Sequence, residues 1–196
     1  MSKLFFPSTS MPAADWWKIL WPAPEGVLRR LTIKPHMSVV DLCCGDGHFT
    51  EALVNTQRGE VFALDIDREM LTLAKARAGK AVHWIEADAR ALPAYMPKKV
   101  DAVFIANTFH GVPEPTALAR KVRETLKPGG LFIVVNWHVA SPGENKVLGQ
   151  PRGPRKDMRM TPVALSKLVE PAGLALVRVV ELPPYHYGVI FQKPEE

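Results

Sequence analysis

Gly45 and Gly47 stand between the apolar run Val39-Val40-Asp41-Leu42 and residues Phe49, Ala52, Leu53 and Thr56, which recur with helical spacing. The pattern predicts a strand, a tight turn and a helix. Glycine takes positive φ at little cost and has no Cβ, so the backbone of such a turn can lie directly against a ligand at the carboxyl end of the strand. Asp65, with Ile66 beside it, falls about twenty residues beyond Gly45, where a second strand from Glu60 should end. From there a carboxylate can grip ribose hydroxyls. Gly45, Gly47 and Asp65 together read as a nucleoside-cofactor site.

What the turn lacks narrows the cofactor. A dinucleotide site wants a small residue three positions after the second glycine, where the helix packs close and faces a pyrophosphate. That position is Thr50. Asp41, four residues before the first glycine, would sit badly beside a diphosphate but suits a ligand carrying positive charge. S-adenosylmethionine, with its ammonium and sulfonium, is such a ligand. At Asp41 to Gly47 the chain resembles the class I S-adenosylmethionine-dependent methyltransferases, whose first motif is an acidic residue, three others, then Gly-x-Gly. The family often has another glycine where Cys43 stands, and that part of the match is looser.

The resemblance extends along the chain and assigns further roles. Asp88, past the third strand (Ala81 to Ala87), would hydrogen-bond the adenine amino group, with the Ala89 backbone beside it. A turn or N-cap aspartate is the plainer account of Asp88. Asn107, past the fourth strand (Val100 to Ile105), would line the cofactor, and His110 would point toward the methyl group as a catalytic or substrate-orienting residue. A solvated loop histidine is the alternative. Lys127-Pro128-Gly129-Gly130, closing a helix from Pro113, leads into a fifth strand (Leu131 to Trp137) as is frequent in the family. A helix starts at Thr161-Pro162, and two strands (Leu174 to Val180, Tyr187 to Phe191) close the chain as a hairpin. The implied fold is α/β and Rossmann-like: a seven-stranded, mostly parallel sheet of order 3-2-1-4-5-7-6, last strand antiparallel, with helices on both faces.

At 196 residues the chain is long enough for one core and not for two. We divide it into an N-terminal helical segment, 1–36, and a cofactor-binding domain, 37–196. Residues 1–10 read as an unstructured lead without an export signal, no stretch is long enough to span a bilayer, and the cytoplasm follows as the default location. Trp16, Trp17 and Trp21 begin a helix interrupted by Pro22 and Pro24. They can staple the segment to the core, form a lid in which Trp17 touches substrate, or meet a lipid surface. Cys43 and Cys44, the only cysteines, read as buried strand thiols, which excludes a disulfide scaffold. No metal site is expected: with His48 they would straddle opposite faces of a strand.

Two regions bear on the acceptor. The long connection 138–160 carries Lys146, Arg152, Arg155, Lys156 and Arg159 against Glu144 and Asp157, either a solvated surface or a clamp for an anion. The corner Pro183-Pro184-Tyr185-His186-Tyr187 would lie at the ligand end of the sheet, so Tyr185 or His186 can reach the substrate or simply stiffen the hairpin. His110 and His186 are the candidate general bases, needed only if the acceptor must lose a proton. The chain lacks the Pro-Pro-aromatic loop of base amino-methyltransferases after its fourth strand, a catalytic-loop cysteine for cytosine C5, and the three dispersed cysteines expected for arsenite methylation. A small organic acceptor, as in quinone biosynthesis, is favoured, with S-adenosylhomocysteine as product and a monomer or homodimer as the assembly. Net charge of +5 permits nucleic acid without demanding it. The alternatives are an RNA methyltransferase using the basic 146–159 loop, a nicotinamide oxidoreductase, disfavoured by Thr50, and a cofactor-binding protein without turnover.

Overall fold

A computed structural model describes residues 6, 7, 9, 11–139 and 145–195. The expected lead over 1–10 lies mostly outside these residues, as does Glu144. Nine strands form two sheets among the described residues: β1 (Val39–Leu42), β2 (Val61–Asp65), β3 (Val82–Glu86), β4 (Val100–Ala106), β5 (Leu126–Trp137), β8 (Ala175–Leu182) and β9 (His186–Gln192) in one, and a small ribbon of β6 (Lys146–Val147) and β7 (Gln150–Pro151). The main sheet runs 3-2-1-4-5-9-8. With the ribbon set aside this is the expected order, and β9 alone runs against its neighbours β5 and β8.

Strand residues alternate between the two faces because successive side chains point to opposite sides. Val40, Leu42, Phe62 and Leu64 join the core under α6 (Pro115–Thr125) and α7 (Pro162–Val169). Val39, Val61, Ala63 and Phe104 face α1 (Ala14–Leu20), α2 (Pro24–Arg30), α3 (His48–Thr56) and α4 (Arg68–Ala78). Covered on both sides, the central strands β1, β2 and β4 are buried and mostly apolar, as parallel strands are, whereas the edge strands β3 and β8 carry exposed polar residues. Local chemistry sets the helix ends. Asp67 accepts a hydrogen bond from the Glu69 N–H at 2.8 Å to cap α4, worth about 1 kcal/mol, and Gly79 ends it at φ 74. Thr161 caps α7 in the same way.

Three expectations change. The helix expected over Pro113 to Lys127 is Pro115–Thr125: Leu126 is buried and pairs with Val100, so the chain is already extended there, and Pro128 has no N–H with which to continue a helix. Cys43 and Cys44 are not strand residues, because β1 ends at Leu42 and Cys43 turns at φ 61. The 138–160 connection carries the β6–β7 ribbon, and the Arg159 guanidinium fastens it by donating to the carbonyls of Pro154, His138 and Arg152.

Candidate active site

The turn after β1 is held from β2. Asp65 Oδ2 accepts the Gly45 N–H at 2.8 Å and Oδ1 accepts the Asp67 N–H at 2.9 Å. Each carboxylate oxygen keeps a further lone pair for a hydroxyl. Gly45 turns at φ 54, and a Cβ there would stand 2.8 Å from Met11 Sδ. Gly47 has a different task. It turns at φ 81, and its Cβ would fall 2.8 Å from the Ala74 Cα. It lets α3 lie against α4, and it is not among the residues that line the cavity, although its neighbours Asp46 and His48 are.

Asp41 is buried at 2% exposure, and Thr50 Oγ1 donates to its Oδ2 at 2.6 Å. Burial pushes its carboxyl up to about 7 against the pull of that hydrogen bond, with the charges of Asp65 and Asp46 adding to the rise. Burial also raises Asp65. The Cys43 and Cys44 thiols are pushed well up by burial and then by the neighbouring carboxylates, so they stay protonated and serve as wall. Among the described residues no three His, Cys, Asp or Glu side chains gather as a metal site.

These groups face one cavity of about 780 Å³, lined by Asp41, Gly45, Asp65, Ile66, Asp88, Ala89, Asn107 and His110. The expected cofactor residues, Gly47 excepted, therefore meet in one place. Asp88 caps the turn at Ala89–Ala91 by accepting from Arg90 N–H, and it also borders the cavity. The Arg90 side chain bonded to it holds its carboxyl below the usual range. Asn107 turns at φ 56, and both its amide atoms are buried without a protein partner. An orphaned amide, a glycine cradle and two strained carboxyls suit a ligand that brings donors, acceptors and positive charge, as S-adenosylmethionine does.

From the N-terminal segment, Phe6, Met11, Trp16 and Trp17 line the cavity. Trp137, at the end of β5, and Arg155 complete it. Tyr185 and His186 do not line it. Tyr185 donates its hydroxyl to the Lys146 carbonyl, and His186, 1% exposed, sits between the rings of Trp137 (4.1 Å) and Trp21 (4.4 Å). Burial drives the His186 imidazole well below its usual range, so it is neutral and screened from the cavity. Trp137 was missed by sequence reasoning, although its place at the carboxyl end of a strand was the available signal. Met11 gave none.

Residues 39–130 match the methyltransferase domain family. The chain is 30% identical over 122 residues to a demethylmenaquinone methyltransferase of Lactococcus lactis, covering 59% of this chain and 47% of that one. It is 30% identical over 131 residues to a ubiquinone/menaquinone biosynthesis C-methyltransferase of Bartonella henselae, covering 62% and 47%. The chain thus spans about half the length of the curated relatives it matches. A SAM dependent methyltransferase from Aquifex aeolicus superposes with a TM-score of 0.76 at 24% identity, over 91% of this chain and 94% of that one. The fold is that of the class I S-adenosylmethionine-dependent methyltransferases. Residues 39–130 match the methyltransferase domain model, and the chain is similar in sequence to methyltransferases named for menaquinone and ubiquinone biosynthesis over about half of their length.

Proposed function

We propose that the protein transfers a methyl group from S-adenosylmethionine to a small organic acceptor with a flat, quinone-like ring. The observation that carries this is the meeting of Asp41, Gly45, Asp65, Asp88 and Asn107 with His110 and the indoles of Trp16, Trp17 and Trp137 in one cavity. When bound, S-adenosylmethionine supplies a methyl carbon on a good leaving group, so the protein must mainly align the acceptor and exclude water. Asp41 meets the positive end of the donor, Asp65 the ribose hydroxyls, and Asp88, Ile66 and Ala89 the base. Asn107 gives its two unpartnered amide atoms to the donor, and His110 takes the acceptor's proton where one must leave. The aromatic wall fits a planar acceptor. The N-terminal segment through residue 36 acts as a lid on the domain 37–196.

Nucleic acid is disfavoured as acceptor. Arg159 is spent on three carbonyls and Arg155 pairs with Asp157 at 2.6 Å, so the basic loop is not a free cationic face. No helix among the described residues is long and apolar enough to cross a membrane. The two free thiols agree with a cytoplasmic location, and the assembly we propose is a monomer or homodimer. Fold alone does not fix the reaction. The test is incubation with methyl-labelled S-adenosylmethionine and a panel of reduced benzo- and naphthoquinones. Label in an extractable product is expected, whereas intact donor binding with no transfer across the panel would favour a binding protein without turnover.

A further inference from the structure

We propose that His48 is a positioning residue that latches the N-terminal segment to the glycine turn, with Arg77 setting which ring nitrogen carries the proton that makes the latch. The inference rests on reading the cavity as a donor site with the N-terminal segment as its lid. His48 opens α3 directly after Gly47, Arg77 stands in the last turn of α4, and Trp21 ends α1. Asp46, His48 and Trp17 line the cavity, so the latch lies at its edge. His48 and Trp21 are buried, at 9% and 3% exposure.

Both ring nitrogens have a partner, and each partner can act in only one way. His48 Nε2 lies 3.2 Å from the Trp21 carbonyl oxygen, which can only accept. His48 Nδ1 lies 3.2 Å from Arg77 Nη1, which can only donate. The ring must therefore be neutral, with its proton on Nε2 and its lone pair on Nδ1. A ring turned over would set carbon atoms against both partners. Arg77 is itself held: its Nη2 pairs with Asp46 Oδ2 at 2.7 Å, and Asp46 Oδ1 accepts the His48 backbone N–H at 3.3 Å. Burial is the largest influence on the imidazole and lowers it from its usual range; Arg77 adds to that, against the Trp21 bond, Asp46 and Glu51.

One imidazole thus joins the glycine turn, α4 and the end of α1. The close approach of Gly47 to Ala74 brings Arg77, about one turn further along α4, within reach of the ring. The segment needs such a fastening, because α1 is 7 residues long and helices shorter than about 12 residues are marginal on their own. Without the Arg77 donor the proton is free to sit on Nδ1, where it leaves an Nε2 lone pair facing the Trp21 carbonyl, and the latch opens. Asp46 belongs to the turn and Trp21 to the segment, so a shift of either reaches the other through this ring.

The latch is read in the ligand-free protein. In protein labelled with ¹⁵N-histidine at pH 8, with His48→Gln used to assign the resonance, His48 should show a protonated Nε2 and a bare Nδ1. Arg77→Met should lose that signature. Hydrogen exchange followed by mass spectrometry should show residues 14–31 exchanging about 10-fold faster in His48→Leu, the loss of one buried hydrogen bond, with β4 unchanged. His48→Gln, whose amide can still donate to the Trp21 carbonyl, should stay near wild type. His48→Leu should also speed the release of bound S-adenosylmethionine by a similar factor, and His48→Gln should restore it. A wild-type His48 protonated on Nδ1, or unchanged exchange over 14–31 in His48→Leu, would overturn the proposal. If His48→Leu does not fold, the wild-type spectrum and Arg77→Met still decide it. Calorimetric titration of wild type with S-adenosylmethionine separates the two readings, since a protein that shows the latch and binds no donor fails the methyl-donor reading alone.

Discussion

At the scale of single residues the cavity is tuned by Asp41. Burial pushes its folded carboxyl up to about 7 from an ordinary value of 3.8, so between those values the folded chain keeps a proton that the unfolded chain has released. A group raised in this way contributes stability in acid and loses it as pH rises through the folded value. A rise of that size corresponds to at most about 4 kcal/mol, and Asp65, also raised, acts in the same direction. Below pH 6.5 the buried His186 and His48, both lowered by burial, act in the opposite direction, so the melting temperature of the ligand-free protein should fall from pH 6.5 to pH 8. The ammonium of S-adenosylmethionine favours the carboxylate, so its affinity should rise over the same range, and binding near pH 6.5 should release protons. Titration calorimetry in two buffers of different ionisation enthalpy measures that release. Thr50→Val removes the 2.6 Å hydrogen bond that lowers Asp41 and should move the whole window to higher pH. An affinity flat from pH 5 to 8 would contradict this role for Asp41.

At the scale of elements the site depends on how α3, α4 and the N-terminal segment approach the glycine turn. Gly47→Ala meets both a φ of 81 and a neighbour at 2.8 Å on α4, so a loss of about 1–3 kcal/mol is expected in denaturant unfolding. Its effect on donor affinity should be indirect, through the turn. Trp17 packs edge-on against Trp16 at 5.8 Å and Trp21 at 6.0 Å while also facing the cavity. Trp17→Ala should cost about 3–5 kcal/mol if the segment folds with the core, and should speed donor release measured by stopped flow. A variant that melts like wild type would show that the segment docks only loosely. The glycine turn, Asp65 and the caps at Asp67 and Thr161 were legible in the sequence because each depends on neighbours a few residues away. The Gly47–Ala74 approach, the Met11 contact and the His48–Trp21 bond were not, because each joins segments that only the folded sheet brings together. Tyr185 and His186 were placed at the correct end of the sheet, yet whether Trp137 stands in front of them is decided by side-chain packing that periodicity does not encode.

At the scale of the whole molecule the strand order puts the ends of β1, β2 and β4 around one cavity, which is why residues as distant as Asp41 and His110 share it. The seven-stranded order was legible because continuous apolar runs alternate with amphipathic helices, while the helix-to-strand boundary at Leu126 was not, because burial against Val100 overrides the local helical pattern. In the basic 146–159 loop, Arg155 pairs with Asp157 and Arg159 is fastened to three carbonyls, so neither guanidinium is free to follow a phosphate backbone. Binding to a generic RNA oligomer should therefore be weak and fade by about 0.2 M salt, as a filter-binding series would register.

The most direct test of the methyl-donor reading is calorimetric titration with S-adenosylmethionine, S-adenosylhomocysteine and NAD, on wild type and on Asp65→Ala with its melting curve checked. The account predicts binding of the first two at about micromolar Kd, no binding of NAD, and loss of donor binding in the variant. Binding of NAD alone, or of none of the three, would contradict it.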